Sequence, residues 1–102
     1  MRGVFVPTVG TELTLAKDWT FTLHDESRNK TLINVLRLRN RKDDEKTWPV
    51  TLTAGWELKV TRVYIRQNQP KYDSMTFTTT CNGVRVRFWV KLADANNMVV
   101  ED

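Results

Sequence analysis

Across residues 75–92, apolar and polar side chains alternate on both sides of Asn82-Gly83. Asn-Gly accepts positive φ at both central positions of a type I′ turn, whose twist suits antiparallel strands. A fold at that dipeptide sets Cys81 opposite Val84, Phe77 opposite Phe88, Thr76 opposite Trp89 and Met75 opposite Val90. Directly opposed residues share a face. Val84, Val86, Phe88, Val90 and Leu92 then lie on one side with Met75 and Phe77. Arg85, Arg87, Trp89 and Lys91 lie on the other, across from Thr80, Thr78, Thr76 and Ser74. A slip of one residue would exchange the faces, so the match selects this register. The pattern predicts Phe88 buried, Trp89 exposed or at an interface, and Gly83 at positive φ.

The same alternation marks other strands. Thr11–Leu15 alternates, and so does Trp19–Leu23, with Trp19, Phe21 and Leu23 facing a core. Ala16-Lys17-Asp18 between them is a turn or a bend in one longer strand. Val50–Leu52 after Trp48-Pro49 is a short strand, and Ala54-Gly55 turns into a long one, Trp56–Arg66. That long strand changes phase, because Leu58 and Val60 share one parity while Val63 and Ile65 share the other. A β-bulge near Thr61-Arg62 reconciles the halves, bending the strand between two sheets or around a barrel corner.

Polar runs separate these elements. His24–Lys30 reads as a loop, Asn40–Lys46 as a solvated charged loop, and Gln67–Asp73, with Pro70, as another. The run Thr31–Leu38 fits either a helix capped by Asp25 or Ser27, or a strand. Strand is preferred, since its neighbours are strands and Thr, Ile and Val favour the extended form. Ala93–Asn97 signals a helical turn, and Met98-Val99-Val100 a last short strand. The fold class expected is all-β, one domain over residues 1–102, as a small barrel or sandwich of six to eight strands.

Composition narrows the function classes. The chain of 102 residues can bury a core without disulfides or metals. Its single cysteine, Cys81, forms no internal disulfide, which suits a reducing compartment. No apolar run is long enough for a bilayer, and no export leader is visible, so a cytoplasmic protein is expected and no membrane partner. The net charge of +4 is spread evenly, with nine basic and seven acidic residues in 1–52 against seven and five in 53–102. An anionic partner is therefore permitted without being demanded.

Catalytic and metal chemistry find little support. His24-Asp25-Glu26, with Ser27, is the one place where a base and carboxylates crowd, and it lacks the spacing of a triad. One His and one Cys fall short of a structural zinc set, and Asp43-Asp44-Glu45 lacks the pattern of a calcium loop. No metal, no cofactor and no enzyme activity are expected. The remaining signal is basic strands with aromatic residues: Arg37-x-Arg39-x-Arg41, Arg62-x-Tyr64-x-Arg66 and Arg85-x-Arg87-x-Trp89-x-Lys91. Arginines hold phosphates while rings stack bases, and the same residue types are enriched at protein-binding hot spots. Arginine and threonine also simply keep an outward face soluble.

From Leu52 onward the order of elements resembles the chain path of SH3-like barrels: a glycine turn, a long bent strand, a loop, a tight hairpin, a helical turn and a final strand. The phrase GWELKVTRVYIRQNQPKYDSMTF, followed by VRFWVKL and ADAN, is also similar to small uncharacterised proteins encoded by phages and prophages. In them a Val-x-Arg-Val-Tyr-Ile-Arg strand precedes an Asp-Ser-x-Thr-Phe strand and an Arg-Phe-Trp strand, and Thr61 stands at the variable position. That resemblance implies a phage-like origin and no activity or catalytic residue. The reading that follows is a non-catalytic binding protein in the host cytoplasm. It engages a host or viral protein, for example a defence or transcription component, through Arg62, Tyr64, Arg66, Arg85, Arg87, Trp89 and Lys91. The alternatives are a single-stranded nucleic-acid-binding accessory protein using the same residues, and a virion structural component. No pattern in the chain sets an oligomeric state.

Overall fold

The computed structural model describes residues 8–36, 47–66, 68 and 73–101. Within them the fold is all-β, with six strands: β1 (Glu12–Thr14), β2 (Trp19–His24), β3 (Thr47–Leu52), β4 (Glu57–Tyr64), β5 (Ser74–Cys81) and β6 (Val84–Lys91). Two antiparallel sheets result, one of four strands in the order β1-β4-β5-β6 and one pairing β2 with β3. Ala16-Lys17-Asp18 is the bend by which the chain leaves the first sheet for the second. The inner faces of the sheets meet through rings. Phe21 stacks on Phe88 at 5.4 Å, and Trp19 meets Phe77 edge-on at 5.7 Å. Trp19, Phe21 and Leu23 are all buried, as their alternation predicts.

The hairpin adopts the register read from its pattern, from Ser74 opposite Lys91 to Cys81 opposite Val84. Asn82 and Gly83 sit at φ 54° and 80°, as the turn requires. Phe88 is fully buried. Val84 shares its parity but is exposed at the hairpin tip, although Cys81 opposite it is buried.

The bulge is also present, with one correction. The β4–β5 register shifts between Val60 and Arg62, leaving Thr61 as the extra residue. Its hydroxyl donates to the Thr76 carbonyl at 3.3 Å. The bulge lies inside one sheet rather than at a passage between sheets, since β4 pairs with β5 on both sides of Thr61, from Lys59 to Tyr64.

The largest departure from the sequence reading is Thr31–Leu38. Instead of a strand, a 3-10 turn (Ser27–Asn29) runs into helix α1 (Lys30–Val35), so His24–Lys30 is no simple loop. Glu26 caps the 3-10 turn, accepting from the Arg28 backbone N–H, while the N-cap of α1 is Asn29, without a side-chain cap bond, rather than Asp25 or Ser27. β-Forming residues yield here to tertiary contacts: Leu32 and Ile33 enter the core, and the Asn29 side chain is fully buried. The arginines 37, 39 and 41 and the charged run 40–46 lie outside the described residues. Helix α2 (Leu92–Ala95) is the expected helical turn. The expected last strand reduces to one bridge, Val100 with Leu15.

The short segments close the sheet edges, which otherwise offer unpaired backbone groups to other chains. The Trp89 N–H of edge strand β6 donates to Asn29 Oδ1 at 2.8 Å, while Asn29 Nδ2 donates to the His24 carbonyl. The Thr22 N–H of β2 donates to Asp94 Oδ2 of α2 at 2.9 Å. Thr22 is opposite Pro49 in β3, so the proline's missing N–H faces outward, where an edge tolerates it. Backbone bonds from Glu101 to Thr14 and from Ala16 to Val99 lay the C-terminal segment along β1. No helix among the described residues is long and apolar enough to cross a membrane.

Candidate functional site

The bulge decides which residues of β4 face outward. Before it, Lys59 is opposite Thr78 and Val60 opposite Phe77; after it, Arg62 is opposite Thr76, Val63 opposite Met75 and Tyr64 opposite Ser74. Without the extra residue, alternation from Val60 would carry Arg62 and Tyr64 into the core. With it, two rows cross the outer face: Arg62–Thr76–Trp89 and Tyr64–Ser74–Lys91. Strands lie about 4.8 Å apart, so the first and third members of a row stand about 10 Å apart. Long side chains on β4 and β6 thus wall a floor of small residues on β5.

This large–small–large arrangement makes a cleft of about 430 Å³, lined by Arg28, Arg62, Tyr64, Arg66, Asp73, Ser74, Thr76, Trp89 and Lys91. Five of the seven predicted contact residues meet there. Arg85 lines a second, shallower concavity further along the sheet, with Glu12, Glu57 and Lys59, and Arg87 stands in the row Lys59–Thr78–Arg87. They share the face but not the cleft.

Trp89 is less open than its position in the alternation implies. His24 stacks on it at 5.1 Å with the rings 9° apart, and the Arg28 guanidinium lies 5.5 Å from its centroid. Its Nε1–H donates to Glu26 Oε1 at 3.0 Å. The indole is therefore half-buried and held by the chain's own residues. Tyr64 is the open ring, 45% exposed, with the Arg66 guanidinium 6.0 Å from its centroid.

Arg28 and Asp73 are the charged lining residues that sequence reading missed. Nothing periodic marks Arg28, because it reaches the cleft by the turn that follows β2. The short-range pair Glu26-x-Arg28 was the one available signal. Arg28 Nε and Nη2 grip the Glu26 carboxylate at 3.1 and 3.0 Å. With that bond as the main cause and the Trp89 indole and Arg28 backbone adding to it, against some burial, the Glu26 carboxyl is pulled down to about 2. Burial first, then nearby Lys91, lowers the His24 pKa, with Asp94 opposing. The stacked imidazole is thereby favoured in its neutral form.

The lining charges are four cations and one carboxylate, Asp73, whose Oδ1 accepts from the Arg66 backbone N–H at 2.7 Å. Among the described residues neither Arg62 nor Lys91 forms an ion pair. Such a site can hold anionic groups by charge-assisted hydrogen bonds, supplemented by two floor hydroxyls and one open ring. Comparison of the chain with family models, with curated proteins and with solved structures finds no match.

Proposed function

We propose that this is a non-catalytic binding protein of phage origin, with the chain path of an SH3-like barrel from Leu52 onward. In this reading it engages a host or viral protein in the cytoplasm through the cleft between β4 and β6. The observation that carries the proposal is the bulge-aligned convergence of Arg62, Tyr64, Arg66, Trp89 and Lys91, joined by Arg28. A protein partner is favoured over a nucleic acid because Trp89 is already occupied. Base stacking needs free ring faces, and His24, Arg28 and Glu26 engage this indole.

A second reading keeps single-stranded nucleic acid, favoured by the open Tyr64 ring, which lines the cleft beside Arg62 and Arg66. Affinity recovery from lysate, with and without nuclease, separates the two when run beside an Arg62→Glu/Lys91→Glu variant. Nuclease-resistant recovery of a protein that the variant fails to retain supports the first reading. Recovery of nucleic acid alone, or recovery indifferent to the variant, overturns it.

A further inference from the structure

We infer that the outer groove along β5 receives an extended acidic segment of a partner chain, with its carboxylates seated between Arg62 and Lys91. This deepens the protein-binding reading and rests on it.

Shape selects an extended segment. Ser74, Thr76, Thr78 and Thr80 form a continuous line of small hydroxyl residues on the outer face of β5. Walls rise on both sides, with Tyr64, Arg62 and Lys59 on β4 and Lys91, Trp89, Arg87 and Arg85 on β6. The line spans six residue steps, about 20 Å at the usual strand rise. Its walls start about 10 Å apart, and their side chains narrow that gap further. A helix about 10–12 Å across does not enter such a groove, whereas an extended chain does, and the hydroxyls of Ser74, Thr78 and Thr80, which unlike Thr76 are not buried, can bond its backbone.

Charge selects the sign and the end. At the Trp89 end Arg28, Arg62, Arg66 and Lys91 face two carboxylates, Asp73 and Glu26, and Glu26 is paired with Arg28. At the other end Lys59 and Arg85 are balanced by Glu12 and Glu57. Acidic side chains are therefore drawn to the first end, and the remainder of the segment runs toward the neutral one. The molecule already displays this chemistry on itself: beside the cleft, Glu26 is held by Arg28 and by the Trp89 indole.

The test is a titration of ¹⁵N-labelled protein with a short, capped Ser/Ala peptide bearing consecutive glutamates at one end, beside its glutamine counterpart. The expected result is amide shifts along Ser74–Thr80 and at Trp89 and Lys91 with the glutamate peptide only. Arg62→Gln and Lys91→Gln should each weaken binding about tenfold, as loss of one charge-assisted contact implies, and Arg85→Gln by less than about twofold. These side chains are exposed, so the variants keep the fold. Equal binding of the glutamine peptide, or shifts confined to another face, overturns the inference. So do shifts at these residues from oligothymidylate with none from the peptide. If the peptide fails while a lysate protein is still held through Arg62 and Lys91, the acidic-segment inference falls and the protein-binding reading stands. If both fail, both fall.

Discussion

The two ends of the outer sheet face are built from the same strands, yet they differ in charge balance and in how firmly their side chains are held. At the Arg85 end opposite charges neighbour one another, with Glu12 directly across from Lys59. Cross-strand pairs of that kind satisfy each other and leave little field for a ligand. At the Trp89 end the cations outnumber the carboxylates, and the indole is fixed by His24, Glu26 and Arg28. One residue accounts for much of the contrast. Thr61, the bulge, turns Arg62 and Tyr64 outward while keeping Val63 toward the core. A face can thus gain a concave, cationic end by a local change of phase, with no change in strand order.

Deleting Thr61 should have the largest effect on the Trp89 end. Restored alternation would drive Arg62 and Tyr64 inward, and an unpaired buried charge costs several kcal/mol, comparable with the whole stability of a small domain. The expected outcome is loss of a cooperative urea transition. A variant that unfolds like the parent would show that alternation does not depend on this bulge.

Next in size is the contrast within β6. Phe88→Ala should cost about 3–5 kcal/mol, since the ring is fully buried between Phe21 and Phe77. Trp89→Ala should cost less than about 2 kcal/mol, the scale of one ring stack and one hydrogen bond. Urea unfolding of both variants checks the order, and a reversed order would place Trp89 in the core.

Those two residues also show what the amino-acid pattern conveys. Phe88 and Trp89 were separable from sequence because alternation around a positive-φ turn is a local rule, and the phase change in β4 was visible for the same reason. The helix over Lys30–Val35 was hidden. What stabilises it is Asn29 bonding β6, sixty residues away in sequence, and the core contacts of Leu32 and Ile33. No local pattern encodes such a contact, so propensity pointed to a strand. Arg28 was missed along with the turn that carries it, whereas Arg85 and Arg87 lie on the expected face but outside the cleft. Sequence periodicity reports the face of a strand, not which part of that face becomes concave.

A smaller effect is expected at the turn. Gly83, at φ 80°, should tolerate Val poorly, with a loss of about 1–3 kcal/mol from backbone strain, because a Cβ there would meet open space. Gly83→Ala should lose less than Gly83→Val in thermal melts. Parent-like melting of both variants would contradict the turn geometry.

The smallest effects are those of pH on the Trp89 end alone. The folded His24 pKa lies below its ordinary 6.5, so the unfolded chain takes up the proton first. Stability should fall as pH drops through about 6.5 and recover as pH rises, and His24→Gln should remove that slope. Glu26 works in a lower window. Its folded pKa near 2 lies below the ordinary 4.5, so its contribution is complete above about 4.5 and fades as pH falls toward 2. The Trp89 indole N–H resonance should follow that titration, and a resonance unmoved down to pH 2 would remove Glu26 as its partner.

Cross-strand nuclear Overhauser contacts between backbone protons of β4 and β5 report whether Thr61 aligns Arg62 and Tyr64 with Trp89 and Lys91. The predicted result places Arg62 opposite Thr76 and Tyr64 opposite Ser74, with Val60 opposite Phe77. Contacts of Arg62 with Met75 and of Val63 with Ser74, the pairing of an unbulged strand, would contradict it.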